Sequence, residues 1–247
     1  MFKIFKLDTR WYAAAFIIIL TFVSAKSYPP KDIGHIFSIC VLTCILDFII
    51  LGLVNRKPSF PLSALVTGLI ISGIAAPGRF SYLAALSAIL SKHIIKISER
   101  HIFNPAGFGL FIASAFLGLP LIWKVSANPL LAVLFGLFLA YRIRKLSLVF
   151  SFTLSLFLLS IIYSLFRHQG LWANIGILNY FFIFFMLIEP KTSPVYLKSK
   201  LIYGIIISVL VILCFAFLPK YDFLVLGLLA GNMINALLRR KKTLNWR

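Results

Sequence analysis

Ten apolar stretches follow one another along this chain with only short polar breaks between them: residues 11–27, 35–54, 60–76, 81–97, 104–123, 129–141, 146–166, 171–188, 201–218 and 221–238. A hydrocarbon layer about 30 Å thick is crossed by about 20 residues of α-helix, so runs of this length and frequency predict transmembrane helices. A soluble alternative fails on surface chemistry. Of 247 residues 61% are hydrophobic and only 13% charged, too few to clothe a globule in water. The expectation is an all-α integral membrane protein, a single transmembrane domain over residues 1–247 whose spans leave no room for a soluble catalytic domain.

The breaks test the count, because Lys and Arg are retained on the cytoplasmic side and should crowd every second connection. With ten spans, 19 of the 25 basic residues fall on one side, among them Lys3, Lys6, Arg10, Arg56, Lys57, Lys92, Arg100, Lys145, Lys191, Lys200 and Arg239. The other side receives 6: Lys26, Lys31, Arg79, Lys124, Arg167 and Lys220. Omitting the short sixth run scrambles this division. The pattern places a multi-pass protein in the cell (inner) membrane with both termini cytoplasmic, and residues 11–27 read as an uncleaved first helix rather than a secretory signal. The net charge of +19 points to orientation, not to nucleic acid, since the cations are spread among the loops instead of gathered on one folded face.

Ten spans divide into halves at 11–123 and 129–238. Five helices per half would make the halves inverted repeats, an architecture that places sites where interrupted helices meet. Each half carries one such proline-containing polar interruption. In the first, Asn104 is expected to cap a helix with Pro105 in its first turn. In the second, residues 189–194 (Glu-Pro-Lys-Thr-Ser-Pro) stop one helix at Pro190 and Pro194 and offer Thr192 and Ser193 as hydrogen-bonding groups. Irregular backbone at membrane depth is tolerated only against protein or a cavity, and both stretches fall on the same side, so a joint site is predicted there. The competing reading of either stretch is a capped helix start.

Elsewhere, Asp47 lies inside the second run, where an ionisable group suggests an ion or proton relay or a partner for Lys92. Cys40, Cys44 and Cys214 sit in apolar runs as small hydrophobes, and neither a disulfide framework nor a metal site is expected. Gly227 and Gly231 predict close helix packing. Nucleophile triads, phosphate loops and zinc-protease motifs are absent from the sequence, and no catalytic residue is assigned.

The run HIFNPAGFGL followed by EPKTSPV and LKSKLIYGIIISVL resembles the NqrB/RnfD family, membrane subunits of sodium-pumping NADH:quinone reductase and of Rnf electron-transport complexes. The similarity spans roughly residues 62–238, with Glu189 where the family motif usually has aspartate. It implies a flavin-binding subunit that passes electrons across the membrane to other membrane subunits of an oxidoreductase complex, with its own part in catalysis, or none, left open by the resemblance. The loop that would carry a covalent FMN threonine reads Lys-Val-Ser-Ala-Asn at 124–128, so no covalent FMN is expected. A non-covalent flavin, riboflavin or FMN, is expected instead. Its candidate contacts are Phe103, Asn104, Pro105, Glu189, Thr192, Ser193 and Pro194, with Phe108 and Tyr180 as further aromatic neighbours. The rivals are a small-solute transporter or channel of inverted-repeat type, and a scaffold that has lost its cofactor.

Overall fold

The computed structural model describes residues 8–24, 30–54, 60–97, 100–170 and 175–244. Lys3, Lys6, Lys26, Arg56, Lys57 and the start of the 171–188 run lie outside the described residues, as do the side chains of Lys31, Lys241 and Lys242.

Within them the protein is helical, as its apolar runs require. The helices are α1 (Thr9–Val23), α2 (Pro30–Leu53), α3 (Leu62–Ile74), α4 (Arg79–Ile94), α5 (Pro105–Leu117), α6 (Pro129–Arg142), α7 (Leu146–Phe166), α8 (Leu197–Phe217) and α9 (Phe223–Leu244). A two-residue antiparallel ladder, β1 (Lys96–Ile97) with β2 (Arg100–His101), joins α4 to α5. Four helical stretches, Asp32–Leu53, Leu146–Phe166, Leu197–Phe217 and Phe223–Arg240, are long and apolar enough to cross a membrane. Large side chains such as Phe22, Phe37, Phe150, Phe166 and Phe217 stand exposed on the outward faces. That surface suits lipid, and the chain is a helical membrane protein.

Local chemistry explains where helices fall short of the apolar runs. The run 104–123 yields only α5, because Gly118 takes a left-handed cap (φ 70°) and the Leu119 N–H turns back to the Ala113 carbonyl at 3.1 Å. The run 81–97 ends as helix at Ile94, and Lys96 begins the small ladder.

The expected helix over 171–188 is not regular. A 3₁₀ turn at Ile175–Ile177 is followed by a π-helical stretch, Phe182–Met186, and every residue from 181 to 188 is buried. Asn179 starts it by accepting the Phe182 N–H on Oδ1 at 3.0 Å. The wide turn stacks the Phe181 and Phe185 rings at 4.8 Å, and the Leu187 N–H reaches Phe182 O at 3.0 Å.

Helices pair closely as α2 with α3, α4 with α5, α7 with α8 and α8 with α9, while α1 meets α6 and α5 meets α9. Glycine permits the tightest of these approaches. A Cβ at Gly109 of α5 would collide with the Ala84 carbonyl of α4, and Gly227 and Gly231 face Val211 and Ile207 of α8, which is the close packing their spacing predicts.

Contacts between loops form two groups. At one end Arg142 lies over the Tyr12 ring at 5.1 Å, Lys200 donates to Arg144 O at 2.6 Å and Arg239 to Lys191 O at 3.0 Å. At the other, Lys124 meets Asp32 at 2.9 Å, the Trp123 indole N–H meets Asp222 at 2.8 Å, and Ser126 donates to Asn179 at 3.1 Å. The first is the basic end of the molecule.

Candidate functional site

Two sequence-distant turns meet at the basic end. Asn104 caps α5 as expected: its Oδ1 accepts the Gly107 N–H at 2.9 Å, and Pro105 occupies the first turn. Its amide nitrogen reaches across to the carbonyl of Met186, the last residue of the π-helical stretch, at 3.2 Å. A second tie runs from the buried His101 Nε2 to Glu189 Oε1 at 2.8 Å. Asn104 and Glu189, brought from the two halves of the chain, therefore stand in one contact network.

The turn at 189–194 is self-closing. Ser193 Oγ donates to the Glu189 carbonyl at 2.7 Å, and Thr192 Oγ1 approaches the Glu189 carboxylate at 3.3 Å. Three outside groups hold its carbonyls. Lys145 Nζ donates to Ser193 O at 3.3 Å and also to Pro194 O, Asn235 Nδ2 donates to Thr192 O at 2.6 Å, and Arg239 takes Lys191 O. The Lys145 ammonium is buried, and desolvation followed by the nearby Lys200, Arg100 and Arg239 charges pulls its pKa down to about 8.

A cavity of about 540 Å³ opens beside these turns. Its apolar wall comes from Val66 and Ile70 of α3, Ala106 of α5, Leu139 of α6, and Phe184 and Phe185 of the buried segment. Asn104, Pro105 and Glu189 also line it, together with Ser63, Thr67, Pro190 and Lys191, and its lip includes Asp8 and Arg10 at the start of α1. Volume and lining fall in the range of small-molecule sites, which are mostly apolar with a few placed polar groups. Thr67 donates to the Ser63 backbone carbonyl at 2.9 Å, and the Ser63 hydroxyl makes no hydrogen bond among the described residues.

The sequence-predicted residues divide accordingly. Asn104, Pro105 and Glu189 are on the cavity wall. Thr192, Ser193 and Pro194 are buried behind it, with both hydroxyls turned to Glu189; they shape the turn and do not line the cavity. Phe103 stacks on Phe108 at 5.5 Å, and neither lines the cavity. Tyr180 lies next to Asn179, whose partner Ser126 is at the opposite end.

Asp47 has the partner its alternative reading named. Both carboxylate oxygens accept from Lys92 Nζ at 2.9 Å, and His93 Nε2 adds a contact of 2.6 Å. Cys40, Cys44 and Cys214 are free thiols, and no metal-holding cluster occurs among the described residues.

Sequence reasoning passed over Lys145, Asn232 and Asn235 as functional groups. Asn232 and Asn235 sit three apart in the otherwise apolar start of α9, where Asn232 accepts the Tyr203 hydroxyl at 2.5 Å and Asn235 ties down the 189–194 turn. Amides inside a span are themselves a signal, because hydrocarbon leaves them no other partners. No protein-family model and no curated protein matches this chain.

Proposed function

We propose that the protein is a flavin-binding membrane subunit of an Rnf/Nqr-like electron-transport complex, holding riboflavin or FMN non-covalently in the cavity at its basic end. One observation carries the reading: the two motifs behind the family resemblance, 85 residues apart in sequence from Asn104 to Glu189, line a single cavity of ligand size. Flavin supplies the redox chemistry, and the protein's task is to bind and orient it and to tune its surroundings. Phe184 and Phe185 offer apolar area for a flat ring system, while Ser63 and the Asn104 region offer polar contacts for its edge. Partner membrane subunits would supply and accept electrons.

Ten spans with both termini on the cytoplasmic side accord with where the element ends fall. Arg10, Lys92 and Lys96 crowd Lys191, and Arg100, Lys200 and Arg239 crowd Lys145, so members of the larger basic set gather at one end. Lys124, joined to Asp32, belongs to the other. Counting the buried 175–188 stretch as the eighth pass makes each successive element start where the preceding one stopped. The inverted repeat is supported by the third element of each half, α3 and that stretch, both short and buried. It is supported also by α1 meeting α6 and α5 meeting α9, the pairs a two-fold between halves would set against themselves.

The second reading, a small-solute transporter, draws on the same two buried elements, since short central helices are also how inverted-repeat carriers build a path. An absorbance spectrum of the detergent-purified protein, before and after acid precipitation, separates them. A flavin spectrum released into the supernatant is the expected result. A colourless protein that carries solute into liposomes would replace the flavin reading with the transporter.

A further inference from the structure

The cavity's lip shows an imbalance in how its charges are satisfied. At the basic end every described carboxylate has a side-chain partner: Asp8 is held by Arg10 in a fork of 2.5–3.1 Å, Asp47 by Lys92 and the His93 ring, and Glu189 by the His101 ring. Lys191 has none. It lines the cavity, yet no carboxylate or other side chain among the described residues takes its ammonium. Partial burial pulls its pKa down, and the neighbouring Lys92, Arg10 and Lys96 charges push the same way, outweighing Glu189. An exposed, unpaired cation at the mouth of an apolar chamber, with other cations behind it, attracts an anion.

The geometry points to an amphipathic anion as the occupant, and we propose that the ligand places a phosphate on Lys191, with Arg10 beside it, while its apolar body fills the space lined by Val66, Ile70, Leu139, Phe184 and Phe185. This rests on the reading of the cavity as a ligand site and deepens it: the phosphorylated member of a ligand pair is the preferred one. The shared chemistry, a phosphate on an apolar body, is met by a phosphorylated flavin and by an anionic phospholipid.

The test measures binding to the full chain in detergent at low salt, by fluorescence quenching of FMN and of riboflavin, and by a fluorescent phosphatidic acid against a fluorescent phosphatidylcholine. The wild type and Lys191→Gln are compared, with Lys198→Gln as a control for general loss of charge. One well-placed cation should favour the phosphate-bearing ligand by roughly tenfold, falling with salt. FMN binding about tenfold tighter than riboflavin, with the preference lost in Lys191→Gln and kept in Lys198→Gln, upholds the proposal. Equal binding of the two flavins overturns it and leaves the flavin reading intact. Binding of phosphatidic acid alone, dependent on Lys191, upholds the phosphate site and overturns the flavin. Failure of all four probes to bind overturns both.

Discussion

Helix α3 and the 181–188 segment are both largely buried, but the two are built from opposite materials. Helix α3 (LSALVTGLIISGI) is a regular helix of small and branched residues, ten of its thirteen buried. Gly68 lets it lie against α2, where a Cβ would stand 2.5 Å from Thr43 Oγ1 and 3.0 Å from the Cys40 Cα. The 181–188 segment is instead a block of aromatics, Phe181, Phe182, Phe184 and Phe185, and it widens into a π-turn. Small residues gain contact by bringing backbones together, whereas bulky ones gain it by keeping backbones apart and filling the gap with rings. Apolar burial alone does not drive helices together in lipid, so both devices work through packing.

If packing sets the difference, substitutions that reverse each device should reveal it. The largest effect is expected from Phe182→Ala. That ring is fully buried and lies within 5.8 Å of Phe152 and 6.4 Å of Trp123 between centroids, so the void should destabilise by about 3–5 kcal/mol, read as a shift in the unfolding midpoint in mixed micelles. Gly68→Ala, a change that would be mild on an open helix face, should cost about 1–3 kcal/mol by overpacking against α2. If it is neutral in the same assay, close approach is not what α3 depends on. Asn104→Ala removes both the α5 cap and the bridge to Met186, and should cost about 0.5–2 kcal/mol. It should also lower flavin content if the cavity holds flavin.

The smallest effect is a pH dependence at the clamp on the 189–194 turn. The Lys145 pKa is lower in the folded protein, about 8 against 10.5, so the unfolded chain binds more protons between those values. Stability should therefore rise as pH increases from about 8 towards 10.5, with the burial penalty fully present below that window. Thermal melts of wild type and Lys145→Met across it should show the increment only in the wild type.

These contrasts also mark how far the sequence could be read. Helix α7 occupies its predicted 146–166 run because only apolar residues, serines and one threonine fill it, and Asn104 with Pro105 announced its cap by spacing alone. The 171–188 run misled for a physical reason. Hydropathy records that Phe and Ile are apolar, but four phenylalanines in five positions crowd a 3.6-residue turn, and that depends on volume and neighbours. Thr192 and Ser193 were legible as hydrogen-bonding groups, but their direction was not, since it is fixed by the distant Lys145, Asn235 and Arg239. Glu189 was visible as a motif residue, while its partner His101 became meaningful only when the two turns met.

The clasps at the far end carry a mechanical consequence. Among the described residues the cavity is a cup: its lining draws none from the loops around Trp123 and Asp222, and that end is fastened by Lys124 on Asp32, Trp123 on Asp222 and the Ala76 N–H on Pro120 O. To become a conduit the protein would have to release two carboxylates, the buried Asp32 and the half-buried Asp222, from their only cross-element donors among the described residues.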